Sequence, residues 1–531
     1  MSTLGDVREL TSYSVIIVPF FYPKDWSEKK IEVLRDYVEG GGRLLLCGEI
    51  PSGLQNFVGI TSGPSITPPD GSLRITLTEE GKKCLMDGRW EEGYLLVGGK
   101  KYVDGAVFSI PKYENVNGIE LGSLEDPASG INLGAGVVLN RRGLGEVLWF
   151  NGRPFWTIGS WSSEVYYFSD LSPWNWEKFE AMYKFAHKPL YTTKLAVIAA
   201  IKYLLHSQGI PLIAGAFWKV ERENIPLGVL FGEHDFEPSL DIYREQYIQE
   251  VLNLDRIVGL PAAYMPTYDV ITLKAVDVIN AYGQELGLQT WKVSQGYGQI
   301  REEAEKIRTL SGRALLSFDQ HGDRPGGNTY FGMDFLLWME RLGYGAHIES
   351  YHNAFDAYPF RIICYDRSLR KLRLMESMYQ LGGHVTVEDQ NRSVQNYVEE
   401  FRKFIEKLGG IRIFLNHGVY YGKKADWYKE ILTKIVHFDC WKVHPSRLYD
   451  WLIQRRQVSL SYYKKEDAHY EVRLTNHGER ALEGFIIEVY SPPGKEMKGA
   501  FRNVKRRGDC LLAEIPKLEP STTVKVKLHT G

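Results

Sequence analysis

The sequence predicts an α/β chain in three parts: an α/β domain over residues 1–210, a second over 220–456, and an all-β module over 457–531. Three observations predict it. A strand–helix–strand pattern fills residues 14–46, a second series of strand and helix patterns extends from 226 to 456, and apolar alternation takes over in the remainder. At roughly 100–200 residues per domain, 531 residues allow about three domains, each long enough to bury its own core.

Residues 14–20 (SVIIVPF) form a short apolar run. Asp25 and Glu28 follow at capping-box spacing, and Ile31, Leu34 and Val38 then share one helical face. Gly40, Gly41 and Gly42 end that helix, and Leu44, Leu45 and Leu46 make the next buried strand, so the segment is a βαβ unit of a parallel sheet. Alternation at Leu73, Ile75 and Leu77 marks an antiparallel excursion before residues 145–150 (GEVLWF) add a strand. A helix over 193–205, with Leu195, Ile198, Ile201 and Leu205 in register, closes the first domain. Cys47 ends a strand with glycine on one side only, which predicts a buried structural thiol rather than a nucleophile.

In the second domain, strands are predicted at 227–231, 260–264 and 314–318, separated by helical stretches of the length parallel crossovers need. Val394, Tyr397, Val398, Phe401, Phe404, Ile405 and Leu408 form an amphipathic stripe stopped by Gly409 and Gly410. The strand at 411–415 then delivers Asn416, His417 and Gly418 at its C-terminal end, where α/β sheets and barrels build their sites. In the last part Tyr470, Val472 and Leu474 alternate, as do Phe485, Ile487 and Val489 and then Val524, Val526 and Leu528, which predicts a β-sandwich.

Composition excludes several classes of function. Lys and Arg total 64 against 66 Asp and Glu, a net charge of −2, so there is no basic footprint for nucleic acid. The five cysteines are widely spaced, with no C-x-x-C pair, which supports neither a disulfide framework nor a cysteine zinc site and fits a reducing compartment. No signal-peptide pattern opens the chain and no apolar run is long enough to span a membrane, so a cytoplasmic protein is expected from the chain as given. Trp156, Trp161, Trp174 and Trp176 crowd together with Tyr166, Tyr167 and Phe168. Such rings stack on sugars or pack between domains or subunits, the second being favoured, which leaves a homo-oligomer open.

Chemistry concentrates at residues 228–237 (GVLFGEHDFE), a buried strand ending in Glu233, His234, Asp235 and Glu237. Acidic and imidazole groups leaving a strand end together suit metal-assisted or general-base catalysis, and equally a solvated loop. Asp319, His321 and Asp323 alternate, so in an extended segment they would face one way as an alternative metal cluster.

Two resemblances follow from these residues. The phrases YSVIIVPFFYPKDWSEKKIEVLRDYVEGGGRLLLCGE and RRGLGEVLWFNGRP resemble the class I glutamine-amidotransferase-like, flavodoxin-like domains found as non-catalytic modules in carbohydrate-active enzymes. Such domains begin with one more strand and helix, which implies an N-terminal truncation here and leaves secretion open. Residues 234–237 (HDFE), 258–267 (VGLPAAYMPT), 283–290 (GQELGLQT), 309–327, 342–350 and 411–418 (IRIFLNHG) resemble, in order, the motifs of the polysaccharide deacetylase (NodB homology) family.

That resemblance implies a (β/α) barrel and removal of N-acetyl or O-acetyl groups from a carbohydrate. It implies Asp235 as the catalytic base, His417 as the general acid and Arg324 as the residue orienting the base. His234, Gln289 and Trp291 would meet substrate, and Asp235 and Glu237 would hold a divalent metal, zinc or similar, with His321 recruited as a replacement ligand. The chain departs from the family at Gln289 and Val293, which stand where two metal-binding histidines belong. A glutamine carbonyl is a weak zinc ligand and valine is none. A degenerate, glycan-binding or scaffold protein is therefore the alternative.

Overall fold

A computed structural model describes residues 10–19, 26–66, 73–86, 88–98, 110–127, 129–152, 154, 190–236, 245–266, 272–290, 297–312, 316–320, 338–348, 358–366, 371–381, 384–387, 392–466 and 468–530. These residues divide between two units. The first takes those within Met1–Glu164, Pro189–Leu212 and Tyr490–Glu496, and the second those within Ile213–Val489 and Met497–Gly531.

The strands of the first unit are β1 (Val15–Val18), β2 (Arg43–Cys47), β3 (Ile60–Ile66), β4 (Leu73–Leu77), β5 (Tyr94–Gly98), β6 (Ile110–Asn115), β7 (Ile119–Glu125), β8 (Asn132–Arg142) and β9 (Gly145–Phe150). Seven of them form one sheet in the order β1-β2-β9-β8-β7-β4-β5, while β3 pairs with β6. Only β1, β2 and β9 run parallel; β9, β8, β7, β4 and β5 pair antiparallel. The helix between β1 and β2, α1 (Glu28–Glu39), is capped by Ser27, whose hydroxyl accepts the Lys30 N–H. Asp25, the predicted cap, lies outside the described residues. Helix α1 ends so close to β9 that a side chain at Gly145 would collide with the Val38 and Gly42 carbonyls. A second helix, α2 (Leu190–His206), packs against β2 and β5. Cys47 is fully buried and burial pushes its thiol up, away from the reactive thiolate.

In the second unit β10 (Leu212–Lys219) is followed by β11 (Gly228–Phe236), β12 (Ala262–Pro266), β13 (Glu285–Leu286), β14 (Leu288–Thr290), β15 (Ser317–Gln320), β16 (Ala346–Ile348), β17 (Phe360–Asp366), β18 (Lys371–Gln380), β19 (His384–Thr386), β20 (Ile411–His417) and β21 (Cys440–Lys442). One sheet has the order β13-β12-β11-β20-β19, with β21 also on β11, and a second has the order β14-β15-β16-β18-β17. The pairings in these two sheets are parallel except that of β17 with β18. The two sheets meet in one short stretch. Leu286 pairs with Tyr264, the Gly287 N–H donates to the Tyr264 carbonyl at 2.9 Å, and Leu288 pairs with Phe318. A Cβ at Gly287 would press on the end of the Met265 side chain and on the Ser317 hydroxyl, so a larger residue at this junction would force those groups to move. The result is a mixed α/β half-barrel whose parallel strands carry their C-terminal ends to one rim.

Helices α3 (Glu245–Val258) and α4 (Val394–Arg402) cover it, the latter extended by a wider π turn at Lys403–Lys407 where the amphipathic stripe predicted one helix. The closing helix α5 (Pro445–Arg455) precedes β22 (Val458–Glu466), β23 (His469–Asn476), β24 (Phe485–Tyr490), β25 (Met497–Gly499), β26 (Val504–Arg507), β27 (Cys510–Glu514) and β28 (Thr523–Thr530). These form two four-stranded sheets, β22-β23-β28-β25 and β10-β24-β27-β26. The second thus includes β10, a strand that precedes the half-barrel in sequence. Helix α5 ties to β10 through Trp451 Nε1, which donates to the Phe217 carbonyl at 2.9 Å, and Arg455 Nη2, which donates to that of Gly215 at 2.6 Å.

Candidate functional site

Strand β11 does not stop at residue 231 but runs to Phe236, so Glu233, His234 and Asp235 are strand residues and alternate between its two faces. Every residue of β11 is buried. Glu233 lies beside Leu415 and Ala263, and Asp235 beside His417 and Met265, in the neighbouring strands. Across the junction between the sheets, Gln289 on β14 is the register partner of Asp319 on β15.

The fold brings one carboxylate oxygen each from Glu233, Asp235 and Asp319 within 4.8 Å of one another, and all three residues are 0 % exposed. Two unit charges at that separation repel by about 3 kcal/mol at an effective dielectric of ~20, and the trio contains three such pairs. A divalent cation between them reverses the sign of that electrostatic balance. The donor set is all carboxylate oxygen, which suits a hard cation such as Mg²⁺ or Mn²⁺ better than the imidazole-rich sites zinc favours.

Of the residues expected from sequence, Asp235 is therefore in the cluster, and Gln289, fully buried, stands next to Asp319. The backbone of His417 pairs with Asp235 at the end of β20; its side chain is outside the described residues. Glu237, Trp291, Val293, His321, Asp323 and Arg324 also lie outside them, as do Trp156, Trp161, Trp174 and Trp176. The two partners of Asp235 in the trio, Glu233 and Asp319, were not predicted as its co-ligands. For Glu233 the available signal was the spacing of two from Asp235, which places both on one face once the strand continues through them.

His234 takes the opposite face and is turned away from the carboxylates. It is 1 % exposed, with Nε2 2.8 Å from Asp255 Oδ2 on α3 and Nδ1 3.4 Å from Asn416 Nδ2. Tyr264 donates to the same Asp255 oxygen at 2.6 Å. This corrects the expectation of a substrate-facing residue: alternation commits His234 to the layer between sheet and helix, where buried polar groups need such partners.

A cleft of about 220 Å³ is lined by Glu285, His444, Ser446 and Arg447 among others. Ser317 Oγ donates to one oxygen of Glu285 at 2.7 Å, and the N–H of Ser446, in the first turn of α5, donates to the other at 3.0 Å. Burial pushes the Glu285 carboxyl up against these donors. His444 is pushed down, by burial first and by Arg447 next.

The chain matches no family model and no curated protein. Part of it is similar to solved structures. A polysaccharide deacetylase candidate from Mycobacterium smegmatis matches 47 % of this chain and 98 % of its own at 11 % identity and a TM-score of 0.35. Peptidoglycan deacetylase PdaC from Bacillus subtilis matches 43 % of this chain and 93 % of its own at 16 % identity and a TM-score of 0.28. BA3943, a CE4 family pseudoenzyme from Bacillus anthracis, matches 43 % and 67 % at 11 % identity and a TM-score of 0.28.

Proposed function

We propose that this chain is a metal-dependent carbohydrate deacetylase, a hydrolase that removes acetyl groups from N-acetylated or O-acetylated sugars. The observation that carries the reading is the closed trio of Glu233, Asp235 and Asp319 at the strand ends of a half-barrel. The order of motif-like segments in the sequence supports it. Glu233, Asp235 and Asp319 would hold the cation. When bound, such a cation polarises a carbonyl and makes a water molecule acidic at neutral pH.

The protein's own groups do the rest. Asp235 accepts a proton from the attacking water as that water adds to the acetyl carbon. His417, beside Asp235 in the strand register, returns a proton to the departing amine or alcohol, so that water and the acetylated sugar become acetate and the free sugar group. Gln289, next to Asp319, offers an amide N–H to the oxyanion.

Gln289 and Val293 at the two histidine positions favour a second reading, a glycan-binding scaffold without turnover. Acetate release from N-acetylated oligosaccharides separates the two, measured with the full chain and Mn²⁺, Mg²⁺ or Zn²⁺ in turn. The expected result is release with at least one cation, abolished by Asp235→Asn and by Asp319→Asn with the fold retained. Glycan binding without release under every cation would establish the scaffold reading.

A further inference from the structure

On the sheet β22-β23-β28-β25, His469 and His529 are direct cross-strand partners. Both are exposed, with ring centroids 6.1 Å apart and ring planes inclined by only 29°. Residues directly opposite in an antiparallel pair hold their Cβ atoms about 5 Å apart, so two imidazoles there reach a common point above the sheet by side-chain rotation alone. The register extends the row on both sides. Glu466 is paired with His469, the two closing a hairpin in which Ala468 has φ 67°, and Lys498 is paired with His529.

We propose that His469 and His529 form a two-imidazole surface site for a divalent transition-metal cation, with Glu466 as an additional oxygen ligand. Imidazole nitrogen selects Cu²⁺, Ni²⁺ and Zn²⁺ over Mg²⁺ and Ca²⁺, the reverse of the preference of the carboxylate trio. The ladder fixes the two backbones, so the freedom lost when the cation binds is confined to rotation of the side chains. Lys498 places a positive charge at the other end of the row and opposes the cation.

Titration of the untagged full chain with Ni²⁺, followed by calorimetry, tests the site. His469→Gln and His529→Gln should each weaken binding by about tenfold or more, the loss expected when even a supporting contact of a metal ligand is removed. Glu466→Gln should weaken it and Lys498→Gln should tighten it, while Asp235→Asn leaves it in place. The last variant keeps this site separable from the proposed catalytic centre. Undiminished Ni²⁺ binding by the double variant His469→Gln/His529→Gln, or no Ni²⁺ binding by the unmodified chain, would overturn the proposal.

Discussion

In the proposed cation site, Asp319 sets binding against stability in a single residue. With no cation bound, three carboxylates within 4.8 Å repel one another, so Asp319→Asn should stabilise the metal-free chain by about 1–3 kcal/mol while destroying cation binding. Urea unfolding in the presence of a chelator checks the first half, and a loss of stability there would count against the electrostatic account. Mn²⁺ should stabilise the unmodified chain, and that added stability should vanish in the variant. Asp235 was legible in the sequence because it sits in a motif-like phrase after an apolar run. Glu233 and His234 were harder to assign, because their roles depend on where β11 ends. A strand ending at residue 231 releases the whole cluster into a loop, whereas one that reaches Phe236 sends Glu233 and Asp235 one way and His234 the other.

At the level of elements, Glu285 links the start of α5 to the sheet through the Ser446 N–H and the Ser317 hydroxyl. Burial favours its neutral acid, so the folded chain binds this proton more tightly than the unfolded one. The contribution of that proton is fully present below the ordinary glutamate value of about 4.3 and is lost as pH rises through the raised folded value. The stability of the unmodified chain should therefore fall, relative to Glu285→Gln, as pH increases from about 4 toward neutrality. Parallel stability curves in a urea series across that range would exclude the effect. The amphipathic stripe through Leu408 correctly announced a helix beside β20, yet its last turn is a π turn. A widened turn leaves the spacing of apolar residues nearly intact, so periodicity alone does not register it.

For the molecule as a whole, the sheet β10-β24-β27-β26 joins strands on both sides of the half-barrel, and α5 is bonded to β10. A chain truncated after Arg456 would leave β10 without its neighbour β24 and expose the apolar surface around Trp218 and Trp451. Such a truncated chain should be insoluble or lack a cooperative unfolding transition, whereas the full chain should show one for this unit. A soluble truncated protein with the full unit's midpoint would show that the half-barrel stands alone. Periodicity in the chain was enough to mark the βαβ start of the first unit, the helix of the stripe that ends at Leu408 and several buried strands, and to single out Asp235 as a candidate carboxylate. It took the folded arrangement to bring Glu233 and Asp319 beside Asp235, to put His234 in a different layer and to pair β10 with β24. Local periodicity reports which face of an element is apolar, but strand order and register join residues such as Asp235 and Asp319, 84 positions apart (319 − 235), through pairings that no local pattern encodes.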